Sequence, residues 1–187
     1  METKAVVVHI YGASGSGTSS LGRFLAEKAG FYFMDTDDYY WLPTDPPYTC
    51  PREREQRLAM MASKLEANRK TVLSGSLSGW GDSLIPLFSL AVRVVTEKEL
   101  RLCRLREREQ KRFGARVEPG GDMHRDHIAF LQWAAAYDEG DLSIRSRLEH
   151  DLWSEKLPCP RLTVDGATPW EENAGKILAA LKKLGIE

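Results

Sequence analysis

The residues most able to do chemistry lie near the start of the chain, in residues 12–19. This stretch, Gly-Ala-Ser-Gly-Ser-Gly-Thr-Ser, stands between an apolar run over residues 5–11 and a helical pattern that begins near Ser19. The N–H groups of such a glycine-rich turn point inward, and the following helix adds partial positive charge, so the turn suits phosphate. We therefore predict a phosphate-binding turn whose contacts are Gly12, Ser14, Gly15, Ser16, Gly17, Thr18, Ser19 and Ser20.

One position departs from the P-loop pattern, which is G-x-x-x-x-G-K-[ST]. Gly12 and Gly17 match its glycines and Ser19 matches its metal-binding hydroxyl, but Thr18 stands where the lysine belongs. A dinucleotide-binding turn is the alternative, but the spacing Gly-x-x-Gly-x-Gly does not fit G-x-G-x-x-G. The chain also lacks a Tyr-x-x-x-Lys pair, which short-chain dehydrogenase chemistry would need. We therefore favour a P-loop without its lysine.

Two carboxylates follow the predicted second strand, residues 31–34. Asp35 and Asp37 are two residues apart, so their side chains point to the same side if the backbone stays extended. Asp35 could then hold magnesium together with Ser19, and Asp37 could orient or deprotonate an acceptor hydroxyl. A solvated acidic turn or a helix cap is the alternative, and the neighbouring phosphate-binding turn favours the functional interpretation.

Arginines recur at three- and four-residue steps along the predicted helix over residues 97–113, and therefore share a face. A solvent-exposed face paired with nearby glutamates accounts for most of them. However, Arg112 and Arg116 bracket a glycine-containing loop that could close over a site, and mobile arginines stabilise charge on a transferring phosphoryl group. We predict that some of these catalyse: Arg104, Arg108, Arg112 and Arg116.

Two other groups leave alternatives open. The aromatic block over residues 39–48 is interrupted by prolines, which exclude a regular element, and it could either wall a substrate pocket or pack as a surface loop. His124 and His127 lie among aspartates in a helical pattern. That arrangement is more typical of an exposed helix face than of a metal site.

Alternation of strands and helices predicts an α/β fold with a parallel sheet of five strands and helices on both faces. The predicted strands are residues 4–11, 31–34, 71–75, 91–96 and 160–166. The predicted helices are residues 19–29, 52–69, 83–89, 97–113, 122–138, 143–156 and 169–184. Ligands of such sheets bind at the carboxyl ends of the strands, which is where the turn and the carboxylates lie.

Composition limits the function classes. A length of 187 residues suits one domain, and a net charge of −1 gives no argument for binding nucleic acid or an anionic membrane. No apolar stretch approaches the ~18 residues of a membrane span, and the first strand begins too early to leave room for a signal peptide. Three widely spaced cysteines fit reduced thiols, so we expect a cytoplasmic protein. No pattern indicates an oligomeric state.

With these residues in view, the chain resembles the P-loop small-molecule and nucleotide kinases, above all shikimate, gluconate and adenylate kinases. Residues 12–23 resemble the loop and first helix of that family. The segment Phe-Met-Asp-Thr-Asp at residues 33–37 is similar to the Phe-x-Asp-x-Asp segment of shikimate kinases. Residues 112–116 resemble the approach to a lid, and Val-Asp-Gly at residues 164–166 resembles the turn near the adenine.

The resemblance implies a three-layer P-loop NTPase sandwich formed by residues 1–187, with an arginine-rich lid near residues 112–121 and a helical insertion at 122–156. It implies ATP and Mg²⁺ as cofactors, Ser19 and Asp35 as metal ligands, and Asp37 as the residue that binds the acceptor alcohol. The expected activity is ATP-dependent phosphoryl transfer to a small molecule or nucleotide.

Thr18 leaves two hypotheses open, because the family's lysine normally reaches the β- and γ-phosphates. In the first, another cation enters the site, either Arg23 or an arginine from the lid segment, and phosphoryl transfer survives. In the second, the protein binds nucleotide without efficient catalysis and acts as a regulator or pseudoenzyme.

Overall fold

A five-stranded parallel sheet forms the centre of the protein. The computed structural model describes residues 5–186, and within them the strand order is β2-β3-β1-β4-β5. The strands are β1 (Val6–Gly12), β2 (Tyr32–Asp35), β3 (Lys70–Ser74), β4 (Leu90–Val95) and β5 (Arg161–Asp165). Every neighbouring pair is parallel, which confirms the predicted fold class. The most apolar strand, β1, occupies the middle of the sheet because both of its faces are buried.

Seven helices of residues 5–186 accompany the sheet. They are α1 (Thr18–Ala29), α2 (Thr36–Tyr40), α3 (Arg54–Ala67), α4 (Lys98–Phe113), α5 (His124–Ala135), α6 (Arg147–Glu155) and α7 (Trp170–Lys183). Short 3-10 turns cover Asp82–Leu87, Gly114–Val117 and Ala136–Asp138. Across the described chain, no helix is long and apolar enough to cross a membrane.

Side chains of β1 alternate between two cores. Val8 and Ile10 pack in the cluster that α1 and α7 complete, whereas Val7 and Tyr11 pack in the cluster that includes α3 and α6. The period of two residues therefore divides one strand between the two outer layers. Helices cover both faces, as the strand–helix alternation predicted.

Three predicted boundaries were wrong, each because a side chain stabilises another local structure. Asp35 caps α2, a helix that the prolines of the aromatic block had seemed to exclude from residues 39–40. Asp122, the first residue of the predicted helix over residues 122–138, pairs with Arg116, and the helix begins at His124. Ser146 accepts a hydrogen bond from the N–H of Glu149, so α6 begins at Arg147 rather than at residue 143.

The guanidinium of Arg101 on α4 is fully buried and fastens three elements together. It donates to the carbonyl oxygens of Thr96 (3.1 Å) and Ala134 (3.2 Å), and it pairs with Asp138, which Arg147 also contacts. A buried arginine is stable only when hydrogen bonds of this kind compensate its desolvation. Arg101 therefore belongs to the interior, unlike the other arginines of its helix.

We expect Arg101→Met to lower the free energy of unfolding by about 3 kcal/mol, since breaking a buried ion pair leaves polar groups uncompensated. Urea denaturation measures the change. Arg106→Met, on an exposed position of the same helix, is the matched control and should change stability by less than about 0.5 kcal/mol. Equal effects of the two substitutions would contradict this role of Arg101.

Candidate functional site

The phosphate-binding turn leaves β1 and passes close to β4 and α4. A Cβ on Gly12 would lie 2.4 Å from the carbonyl oxygen of Val94, and one on Gly15 would lie 2.5 Å from the carbonyl oxygen of Arg101. Gly15 also has a φ of 81°, in the left-handed region. Both positions therefore require glycine, and the turn is held against its neighbours by backbone contact.

The first turn of α1 faces the loop with its N–H groups free of any side-chain cap. Gly17 caps the helix with a φ of 99° and offers no side-chain acceptor. Thr18 and Ser19 are partly exposed, and Ser20 is exposed. Uncapped N–H groups at a helix N-terminus are an anion-binding arrangement, so this end of α1 suits phosphate.

Ser16 differs from the other serines of the turn because its side chain is directed into the protein. Its residue is 0% exposed and its hydroxyl has no hydrogen-bond partner within residues 5–186. Its N–H donates to the carbonyl of Ala13 (3.1 Å), and its carbonyl accepts from the hydroxyl of Thr96 (3.0 Å). Ser16 therefore shapes the turn from inside, whereas Ser14 is partly exposed.

Ser19, Asp35 and Asp37 meet beside the turn. The hydroxyl of Ser19 donates to Asp35 Oδ2 (2.6 Å), and the N–H of Asp37 donates to Asp35 Oδ1 (3.1 Å). The premise of an extended backbone was wrong, because the chain turns into α2 directly after Asp35. The start of α2 nevertheless keeps the carboxylates of Asp35 and Asp37 close to each other. Hydroxyl and carboxylate oxygens are the donors that Mg²⁺ prefers, so Ser19 and Asp35 fit that ion.

Asp37 is an exposed residue, but neighbouring protein removes part of the hydration of its carboxylate. Loss of hydration raises its pKa, and the negative charge of Asp35 raises the pKa further. Arg145 and Arg108 oppose this and lower the pKa of Asp37. The two guanidiniums therefore act on the same carboxylate, although they come from different parts of the chain.

Two of the predicted arginines approach the site from α4. Arg104 donates to the carbonyl of Gly166 (2.9 Å) and, more weakly, to that of Ser16 (3.4 Å), so it bridges the phosphate-binding turn and the turn after β5. Arg108 is half-exposed, and its protein partner is Glu109 at 3.3 Å. The charge of Arg108 also lowers the pKa of Asp37.

The other two predicted arginines are held by the aromatic block. Arg112 donates to the hydroxyl of Tyr48 (3.1 Å), and Arg116 pairs with Asp45 (2.8 Å) and Asp122 (2.7 Å). In this structure Arg112 and Arg116 thus fasten the segment over residues 112–116 to residues 45–48.

Arg23, the alternative source of charge, does not face the turn. It is exposed and lies over the ring of Phe33, 4.4 Å from the ring centroid. His124, one of the two histidines noted in the sequence, contacts the carbonyl of Val117 through Nδ1 (2.8 Å). Residues 5–186 contain no cluster of three or more potential metal ligands of the His, Cys, Asp or Glu type.

Sequence reasoning missed two arginines whose guanidiniums lie over aromatic rings. Arg145 precedes α6, and its guanidinium lies 5.5 Å from the ring centroid of Trp133. Arg57 of α3 lies between the rings of Tyr40 (4.0 Å) and Trp80 (4.4 Å). Neither arginine belongs to a sequence motif. Their contacts are with aromatic residues elsewhere in the chain, and a single sequence does not show such pairs.

A buried hydrogen-bonded chain is centred on His150. His150 contacts the hydroxyl of Tyr137 through Nδ1 (2.9 Å) and that of Ser76 through Nε2 (2.9 Å). Ser76 contacts Ser78 (2.7 Å), which donates to Glu149 (2.8 Å). Burial lowers the pKa of His150 to about 3, and the charges of Arg145 and Arg93 act in the same direction. The imidazole is therefore neutral, which lets one nitrogen donate and the other accept.

Comparison with known sequences shows the family to which this chain belongs. A family model described as an AAA domain matches residues 8–124 of this chain. The uncharacterized protein YqaC of Bacillus subtilis (strain 168) is 39% identical over 171 residues, which cover 91% of this chain and 94% of that protein. The match to the family model, over residues 8–124, includes the phosphate-binding turn, Asp35, Asp37 and all of α4.

Comparison with solved structures gives the fold. A shikimate kinase from Bacteroides thetaiotaomicron superposes with a TM-score of 0.59 at 15% identity, over 95% of this chain and 98% of that one. A shikimate kinase from Acinetobacter baumannii, solved with shikimate, gives 0.54 at 20% identity over 100% and 97%. A gluconokinase from Sinorhizobium meliloti 1021 gives 0.51 at 20% identity over 96% and 93%. These similarities establish a P-loop α/β fold.

The neutral state of His150 predicts how stability depends on pH. The unfolded chain binds a proton at this residue below its ordinary pKa of 6.5, whereas the folded chain does so only near pH 3. Stability is therefore highest above pH 6.5 and falls as the pH drops toward 3, by up to about 1.4 kcal/mol per pH unit for this group. His150→Gln should flatten the curve between pH 6 and 4.5, as measured by urea denaturation. Parallel curves for the two proteins would contradict it.

Proposed function

The chain belongs to the AAA domain family of P-loop proteins, and we propose that it transfers the γ-phosphoryl group of ATP to the hydroxyl or phosphate of a small molecule. The observation that carries the proposal is the contact of Ser19 with Asp35 beside the phosphate-binding turn, with Asp37 adjoining it. A phosphate cradle, a pair of hard oxygen donors and a further carboxylate are the parts that this reaction uses. The whole chain acts as one kinase-like domain, with residues 112–121 as its lid and 122–156 as a helical insertion.

Each part has a role in this proposal. N–H groups of the turn and of the first turn of α1 hold the phosphates, and Ser19 and Asp35 hold Mg²⁺. The ion, when bound, neutralises charge on the phosphate oxygens. Asp37 accepts the proton of the acceptor hydroxyl as the acceptor oxygen bonds to the γ-phosphorus and the bond to ADP breaks. Its raised pKa makes it a better proton acceptor than an ordinary aspartate.

We assign the charge of the missing lysine to Arg108. Arg104 is committed to backbone carbonyls, Arg112 and Arg116 are held by residues 45–48, and Arg23 lies over Phe33. Arg108 is half-exposed and acts on Asp37, so it can reach a phosphoryl group beside that carboxylate. A guanidinium there would stabilise the charge of the transition state.

A nucleotide-binding protein without efficient catalysis is the second candidate function. Thr18 favours it, because a threonine supplies a hydrogen bond but no charge at the phosphates. The contacts of Arg112 and Arg116 favour it as well, since these arginines are engaged on the aromatic block rather than at the turn.

Asp37→Asn tests the leading proposal, because an amide cannot take the acceptor's proton. We expect kcat to fall at least 100-fold with little change in nucleotide affinity. ADP release is measured over a panel of sugars, hydroxy acids and nucleoside monophosphates, with and without Mg²⁺. The neighbouring exposed residue supplies the control, Asp38→Asn, which should retain activity. Tight nucleotide binding without turnover on any acceptor would reject the kinase proposal.

Thr18→Lys and Arg108→Met together separate the two candidate functions. If Arg108 replaces the lysine, Arg108→Met should lower kcat roughly 10- to 1,000-fold, and adding Thr18→Lys to that variant should restore part of the loss. Arg106→Met on the same helix should leave kcat unchanged. If wild-type protein is inactive and Thr18→Lys alone creates turnover, the pseudoenzyme hypothesis holds instead.

A further inference from the structure

The segment that follows β3 packs against the residue that separates the two carboxylates. This segment, residues 75–81, is called the β3 loop below. Its first residue, Gly75, has a φ of 107°, and a Cβ on it would lie 1.9 Å from Oγ1 of Thr36. Thr36 is buried and stands between Asp35 and Asp37 at the start of α2. The position of the β3 loop therefore limits where the start of α2 can lie.

Two serines fasten the β3 loop to α6. Ser76 and Ser78 are both buried, and their hydroxyls are 2.7 Å apart. The hydroxyl of Ser76 contacts Nε2 of His150 at 2.9 Å, across 74 positions of the chain. The hydroxyl of Ser78 contacts Glu149 at 2.8 Å, across 71 positions. Two consecutive residues of one helix therefore hold the loop from inside the protein.

The carboxylate at one end of this chain of hydrogen bonds sets the direction of all of them. Glu149, as a carboxylate, can only accept, so the single hydroxyl proton of Ser78 goes to it. Ser78 then accepts from Ser76, whose own proton is thereby used. Ser76 in turn accepts from His150, so the imidazole carries its proton on Nε2. Nδ1 is left to accept from the hydroxyl of Tyr137, at 2.9 Å.

Only one tautomer of the neutral imidazole of His150 fits these contacts. With the proton on Nδ1 instead, no proton would remain between Nε2 and the hydroxyl of Ser76. His150 is 0% exposed, so water cannot replace a lost contact. The rings of Tyr11 and Tyr137 pack edge-on against the imidazole, with centroids 5.4 and 5.5 Å away. The imidazole is therefore held with its Nε2–H directed at the β3 loop.

We propose that His150 is a positioning residue of the candidate site. Its Nε2–H holds Ser76, and so the β3 loop, where the backbone of Gly75 sets the position of Thr36 and of the two carboxylates beside it. Because His150 is fully buried, it acts through the loop rather than on a substrate. The kinetic consequence rests on the function proposed above. A displacement of about 1 Å at a reacting group is enough to slow a reaction roughly 100-fold.

The tautomer of His150 is tested first, and this test needs no turnover. Nitrogen-15 NMR of the full-length protein at pH 7.5, labelled at histidine, distinguishes protonated from unprotonated ring nitrogens. His150→Phe identifies the signals of His150 among the four histidines. We expect a protonated Nε2 and an unprotonated Nδ1. A proton on Nδ1 would overturn the proposal.

Substitutions on the two sides of the imidazole separate positioning from stability. His150→Phe and Ser76→Ala remove the contact toward the β3 loop, and each should lower kcat roughly tenfold or more while changing KM for ATP less than about threefold. Ser76→Ala keeps the imidazole and guards against misfolding of the first variant. Tyr137→Phe is the matched control: it removes a buried hydrogen bond from the same imidazole on the side away from the loop. It should leave kcat unchanged, and urea denaturation shows whether each variant is folded.

Equal losses of kcat in Ser76→Ala and Tyr137→Phe, or no loss in Ser76→Ala, would contradict positioning. If the wild-type protein turns over no acceptor, the proposed reaction is rejected, and hydrogen exchange of the backbone then decides the role of His150. Ser76→Ala should speed exchange at residues 36–40, whereas Tyr137→Phe should not. Unchanged exchange at residues 36–40 in Ser76→Ala would overturn the proposal.

Discussion

The position of α4 depends on Arg101, and the site depends on α4. The backbone carbonyl of Arg101 lies against Gly15 of the phosphate-binding turn, while its side chain reaches Thr96, Ala134 and Asp138. One residue therefore links the turn, the end of β4 and the segment after α5. Because its charge is desolvated, these contacts have to form together or the charge remains uncompensated.

In the proposed reaction, the positive charge at the phosphates comes from outside the turn. Thr18 leaves the turn with its backbone N–H groups and the dipole of α1, which are sufficient to hold phosphate but carry no full charge. Arg108 of α4 is the arginine to which we assign that charge. In this proposal, phosphate binding and charge stabilisation, which a lysine-containing loop combines, are divided between separate elements.

Much of the fold could be predicted from sequence, because it follows from local patterns. The apolar run of β1, the glycines and the strand–helix alternation gave the parallel sheet and the turn, and Ser19 does meet Asp35. The backbone after Asp35 could not be predicted from spacing, since capping of α2 by its own carboxylate decides it. Arg57 and Arg145 were missed because their environment is made by aromatic residues far away in the chain. The interior position of Arg101 could not be predicted, since helical spacing does not reveal which residue meets a largely buried carboxylate.

The arginines of α4 have a consequence for how this sequence can diverge. Four arginines follow one another on α4 at steps of three or four residues, and each has different contacts. Arg101 contacts Ala134 in the interior and Arg104 contacts the carbonyl of Gly166. Arg108 contacts Glu109, and Arg112 contacts Tyr48 of the aromatic block. One inserted or deleted residue would rotate everything beyond it by about 100° around the helix axis and shift it by about 1.5 Å. All positions after the change would lose their partners at once. Relatives of this protein can therefore exchange residues within α4 one at a time, but the number of residues between Arg101 and Arg112 is constrained to stay the same.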